Sequence, residues 1–151
     1  MMLSPHFSFD ELTVTNNTAL QALNRERAGA QPVAGCLRDL ASLLEHLRGN
    51  TGALEVHSGF RCPELNGKTP GSSSKSQHML GQAADFSRPG PDDEKSIDKL
   101  FQDVLGVLET DGVIFGQIIK EMADRKYGKS VWLHISLGIP YRPIIKCGQV
   151  M

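Results

Sequence analysis

The segment Ser76-Gln77-His78-Met79-Leu80-Gly81-Gln82-Ala83-Ala84-Asp85 sets a histidine and an aspartate on either side of a glycine turn, and Trp132-Leu133-His134 later supplies a second imidazole. Gly81 with the small Ala83 and Ala84 lets the chain turn after His78 and enter a short buried strand over Gln82 to Phe86, which carries Asp85. On the later strand side chains alternate, so Trp132 and His134 share one face while Leu133 and Ile135 take the other. Two imidazoles and one carboxylate leave one position of a tetrahedral zinc ion open to water, as hydrolytic zinc sites do and structural sites usually do not. His78 alone would read as an ordinary surface or hydrogen-bonded histidine; the combination is what points to a metal.

Upstream of this segment, Asn17 to Arg27 reads as a short helix broken by Gly29 through Pro32. Leu37, Leu40, Leu44 and Leu47 then recur at helical spacing, with Arg38, Asp39, Glu45 and Arg48 on the other face, until Gly49-Asn50 and Gly52 end the run. Leu54 to Ser58 alternates as a half-buried strand, and Gly59 marks its exit into a turn or short helix near Cys62 to Asn66. Gly67 to Lys75 is rich in Gly, Ser, Lys, Thr and Pro and reads as an exposed loop leading into the site.

Downstream, a Pro-Gly-Pro linker at Pro89 to Pro91 precedes a helix from Asp93 to Leu108 with an apolar stripe of Ile97, Leu100, Phe101, Val104, Leu105 and Leu108. Val113 to Glu121 and Val131 to Leu137 are predicted to be strands of an antiparallel hairpin joined by a polar loop from Met122 to Lys129. The sum is an α+β fold, two to three helices with a small, mainly antiparallel sheet, in a single domain over residues 1–151.

Composition agrees with this plan: 151 residues, 40% hydrophobic and 22% charged, suit one globular domain with a true core. Lys and Arg number 16 against 17 Asp and Glu, a net charge of -1 that leaves no electrostatic footprint for nucleic acid. No apolar run approaches the roughly 20 residues needed to span a bilayer, and the opening Met1-Met2-Leu3-Ser4-Pro5-His6 lacks the basic start and apolar run of a signal peptide. No membrane partner is expected. The three cysteines, Cys36, Cys62 and Cys147, form no CxxC pair and outline neither a disulfide framework nor a cysteine-zinc knuckle.

Several separated pieces together resemble the group of zinc D-Ala-D-Ala carboxypeptidases, D,D-dipeptidases and phage L-alanyl-D-glutamate peptidases, which shares its fold with the hedgehog signalling domain. They are Ser58-Gly59-Phe60-Arg61, Ser76 through Asp85, Trp132-Leu133-His134, and the opening His6-Phe7-Ser8-Phe9-Asp10-Glu11-Leu12, which is similar to the start of the phage-associated branch. The resemblance implies zinc held by His78, Asp85 and His134, with Arg61 facing a substrate carboxylate or carbonyl through its guanidinium fork. It also implies that Ser76 hydrogen-bonds substrate or caps the turn. Trp132 would wall the cleft, with plain core packing as the competing role.

The commonest pattern of the group places Asp or Glu three residues before the final histidine, where this chain has Val131. Glu121, at the end of the preceding strand, is the substitute, and Asp124 is the reserve. If Ile119 lies opposite His134, Glu121 lies opposite Trp132 and shares its face; a one-residue slip would turn it away. The implied activity is hydrolysis of peptidoglycan stem peptides containing D-amino acids, as a carboxypeptidase or stem-peptide endopeptidase. The lack of a signal peptide fits a phage or prophage lytic enzyme released to the cell wall by another protein. The alternative is a non-catalytic zinc module that binds peptidoglycan or a protein partner, and a third possibility is a zinc hydrolase of a non-peptide amide.

Overall fold

Apolar residues at helical spacing build the two longer helices. A computed structural model describes residues 1–90, 93–126, 128–138 and, for the backbone only, 144–150. Helix α1 spans Gln21–Ala28, α2 Val33–Thr51, α3 Pro63–Gly67 and α4 Glu94–Thr110. The stripe of α2 buries Leu37, Leu40, Ala41, Leu43, Leu44 and Leu47. Each leucine removed from water there contributes roughly 1.5–3 kcal/mol before conformational entropy is subtracted. Asp93 caps α4 by accepting the Ser96 backbone N–H at 2.7 Å, which satisfies one of the unpaired donors of its first turn. Pro91, the end of the linker, lies outside the described residues.

The strands are β1 (Glu55–Ser58), β2 (Ala83–Ser87), β3 (Gln117–Arg125), β4 (Gly128–Ser136) and β5 (Ile144–Val150), in sheet order β1-β2-β4-β3-β5. The first four pair antiparallel, while β5 runs parallel to β3 at the edge. The α+β plan with a mainly antiparallel sheet is therefore the observed one. One face of the sheet, with Ala84, Phe86, Ile118, Leu133 and Ile135, joins the helices in a shared hydrophobic core. Lys120 also points to that side: it is buried yet bonds Glu94 at 3.0 Å and Asp98 at 2.6 Å on α4. Its neighbours Ile119 and Glu121 must consequently face the other way.

The hairpin differs from its predicted extent. β3 and β4 stay paired as far as Arg125↔Gly128, so residues assigned to a polar loop belong to strands, whereas Val113 to Gly116 precede the strand. The far end of the hairpin runs past the core, where neither face needs apolar side chains, and its polar sequence imitates a loop. Tyr127, between the strands, lies outside the described residues. The edge strand β5 has no counterpart in the sequence-based expectation. Of the cysteines, Cys36 and Cys62 are free thiols, and the Cys147 side chain lies outside the described residues.

Candidate metal centre and active-site cleft

Pairing register carries the site. Ser58 pairs with Asp85, Asp85 with His134, and His134 with Ile119, so one row crosses four strands on the face away from the helices. His78 reaches the same spot from a 3₁₀ turn, Gln77–Leu80, just before β2. Ser76 caps this turn by accepting the His78 backbone N–H at 3.1 Å. Gly81 ends it at φ 71°, where a side chain would be strained and where a Cβ would lie 3.0 Å from the Val33 carbonyl oxygen.

The ligand atoms of His78, Asp85 and His134 all lie within 4.8 Å of one another. Asp85 Oδ1 sits 3.3 Å from His78 Nε2 and 3.0 Å from His134 Nδ1. The imidazole rings meet edge to face, with centroids 5.2 Å apart. Relative exposure is only 3% for His78, 9% for Asp85 and 8% for His134, so these polar groups need partners or an ion. Burial opposes ionisation of Asp85, but the charge of His78 and hydrogen bonds from both histidines outweigh it and hold its carboxyl well below the usual carboxylate range.

This donor set fits zinc. His78 Nδ1 donates to the Gly59 carbonyl oxygen at 2.7 Å. That bond orients the ring with Nε2 toward Asp85 and His134, and on metal binding it would hold the tautomer in which Nε2 gives up its proton and offers its lone pair to the ion.

Around this centre opens a cleft of about 1110 Å³, lined among others by Arg61, Ser76, Glu121, Trp132 and the three candidate ligands. Glu121 lies opposite Trp132, diagonal to His134, and shares their face. Its Oε2 accepts the Trp132 indole N–H at 2.8 Å. Burial first, and then the negative charge of Asp85, push the Glu121 carboxyl above its usual value. Val131 packs toward the hydrophobic core, on the strand face opposite to His134. Asp124 was predicted to lie in a loop; it stands exposed on β3 opposite Lys129, with strand parity opposite to Glu121.

Arg61 faces the cleft with its Nε buried and lacking a hydrogen-bond partner among the described residues, while Nη2 donates to Ser76 Oγ at 3.4 Å. Burial pulls its guanidinium below the usual value, and the charges of Asp85 and Glu121 work in the opposite direction. Ser76 therefore both caps the His78 turn and receives Arg61. His57 sits at the irregularity between β1 and β2 and meets Ser87 Oγ at 2.5 Å.

Sequence reasoning did not find the outer supports of the site. Beyond the Gly59 carbonyl, Arg61 donates its backbone N–H to the His78 carbonyl at 3.0 Å, so the Ser-Gly-Phe-Arg segment holds His78 at two points. Asn24, fully buried on α1, fastens that segment in turn. Its Nδ2 donates to Phe60 O at 3.0 Å and Thr13 O at 2.9 Å, and its Oδ1 accepts the Cys62 backbone N–H at 2.8 Å. A polar residue at a buried helical position was the only signal available, and it does not name its partners.

Two histidines and an aspartate, brought together by two strands and a 3₁₀ turn in an open cleft beside a buried carboxylate, are the arrangement of metal-dependent hydrolases. The chain belongs to the Peptidase M15 family, whose model matches residues 5–112. That span includes Arg61, Ser76, His78 and Asp85 and ends before β3. His134, Glu121 and Trp132 lie beyond the matched span, on the hairpin of β3 and β4. No curated protein matches the chain. Among the described residues no helix is long and apolar enough to cross a membrane.

Proposed function

We propose that this chain, acting as a single domain, is a zinc-dependent peptidase that hydrolyses short D-amino-acid-containing peptides of bacterial peptidoglycan, as a carboxypeptidase or stem-peptide endopeptidase. The observation that carries the proposal is the shared cleft face of Glu121 and the converging ligand atoms of His78, Asp85 and His134. Zinc bound by these three residues would supply Lewis-acid polarisation and lower the pKa of water. Glu121 accepts a proton from the attacking water as its oxygen bonds to the peptide carbonyl carbon. It then delivers that proton to the departing amine nitrogen as the C–N bond breaks, leaving a carboxylate and an amine.

Arg61, with one donor unpaired, offers its guanidinium to a substrate carbonyl or carboxylate oxygen. Ser76 orients Arg61 and can bond the substrate backbone, and Trp132 walls the cleft. Lys68, Lys75, Arg125 and Lys129 also line the cleft, which suits a substrate bearing free carboxylates.

Defined muropeptides given to the zinc-loaded protein, alongside Glu121→Gln, test the proposal. The parent should cleave and the variant should lose about 10²–10⁴-fold in rate while retaining zinc. Absence of cleavage by the parent favours the second reading, a non-catalytic zinc module, for which Val131 at the usual carboxylate position is the supporting observation. Unchanged cleavage by the variant removes Glu121 alone from the mechanism.

A further inference from the structure

We propose that Trp132 is a positioning residue for Glu121: its indole N–H holds Oε2 and reserves Oε1 as the oxygen that takes the proton. The proposal rests on Glu121 serving as base, and it accounts for how a carboxylate borrowed from β3 does work that the commoner pattern gives to β4.

A glutamate side chain turns about three bonds, so being on the right strand face does not aim its carboxylate. The cleft holds a competing attraction in the Arg61 guanidinium, whose charge is felt at Glu121. Trp132 lies directly across the hairpin and donates to Oε2 at 2.8 Å. Oε1 has no hydrogen-bond partner among the described residues and is not sealed from the cleft.

The chemistry of the donor matters. An indole nitrogen donates only, and it neither accepts nor gives up a proton near neutral pH. While it occupies Oε2, the incoming proton adds to Oε1, and the same oxygen returns it to the amine. The ring is steadied in its turn. The Arg125 guanidinium carbon lies 6.0 Å from the ring centroid, and Arg125 Nε donates to Ser130 Oγ at 3.2 Å, which ties the cation to β4 itself. Arg125, Trp132 and Glu121 thus form a chain of contacts across the outer hairpin, with Val131 on the other face of β4, partly buried against the core.

The chain contains a single tryptophan, so its indole N–H gives one proton–nitrogen resonance that reads the contact without reference to turnover. In the zinc-loaded protein this resonance should be shifted downfield and protected from exchange. Glu121→Ala should return it toward the free-indole position with exchange faster by about 10-fold or more, and Glu121→Gln, which keeps an acceptor oxygen, should preserve most of the shift.

In the cleavage assay Trp132→Phe, which retains a ring but lacks the donor, should lower kcat by about 10-fold or more with KM and zinc content little changed. A resonance unmoved by Glu121→Ala overturns the proposal. So does a Trp132→Phe enzyme whose KM rises while kcat holds, which is the behaviour of a cleft wall. Should Trp132→Phe fail to fold, the resonance in the parent and the Glu121 variants still decides. A parent that cleaves no peptide refutes the peptidase reading instead, and the resonance reports the positioning contact independently.

Discussion

His78 Nδ1 lies 2.7 Å from the carbonyl oxygen of Gly59, so a candidate metal ligand is oriented by backbone 19 residues earlier in the chain. The carbonyl can be there only because residue 59 has no side chain: a Cβ would stand 2.3 Å from the Leu12 carbonyl oxygen, itself bonded by Phe60 N–H at 2.8 Å. The N-terminal segment, the Ser-Gly-Phe-Arg segment and the metal centre are therefore packed as one stack.

Gly59→Ala should lower stability by about 1–3 kcal/mol, since backbone rather than a flexible side chain has to move. Because the carbonyl of residue 59 moves with it, zinc affinity should fall by roughly 10–100-fold as well. Thermal unfolding and competitive zinc titration check the two effects separately. A destabilised variant that retains parental zinc affinity would show that Gly59 serves packing only.

Zinc should stabilise the folded chain, by about 2.7 kcal/mol when free zinc is 100-fold above its dissociation constant. Chelation should reverse this. His78→Ala, Asp85→Ala and His134→Ala should each abolish the zinc-dependent rise in melting temperature, read by differential scanning calorimetry with and without metal. A variant that keeps the full rise is not a ligand variant.

Glu121 should destabilise the metal-free protein when ionised. Burial and the neighbouring Asp85 charge raise its folded-state pKa, so the folded state holds this proton more tightly than the unfolded chain does. The resulting stability is fully present below the unfolded glutamate value, about 4.3, and is lost as pH rises through the folded value. Glu121→Gln should accordingly melt higher than the parent at neutral pH without metal, and the difference should shrink on acidification. A variant that melts lower at neutral pH would contradict this.

Lys68 and Lys75, on the loop beside the cleft, should attract carboxylate-bearing substrates. Reversing both charges to glutamate should raise KM roughly 3- to 10-fold at low ionic strength with little change in kcat. The effect should fade as salt is added, because exposed charges are screened over about 10 Å at 0.1 M. An unaltered KM, or a change insensitive to salt, would remove these lysines from substrate recognition.

Much of the molecule was legible in its residues. Apolar spacing alone marks α2 and α4, and the alternation of Trp132, Leu133, His134 and Ile135 assigns opposite faces of a strand before any partner is known. The order of the Ser76 to Asp85 and Trp132 to His134 segments, read through the family resemblance, likewise singles out His78, Asp85 and His134 from the chain's other histidines and carboxylates. The fold brings their ligand atoms within 4.8 Å of one another. Periodicity failed where it carries no information: at the tip of the hairpin Asp124, Arg125, Gly128 and Lys129 are all exposed, so its polar strands read as a loop.

The tertiary structure decided what depends on partners distant in the chain. Register places Glu121 opposite Trp132 and diagonal to His134, and a slip of one residue would have turned its carboxylate toward α4. The Gly59 carbonyl that orients His78 and the Asn24 bonds that hold the Phe60 segment involve backbone groups every residue possesses, so nothing in their sequence marks them. A residue's chemistry is local and can be read from its identity, whereas the direction in which that chemistry points is set by strand pairing and packing across the whole fold.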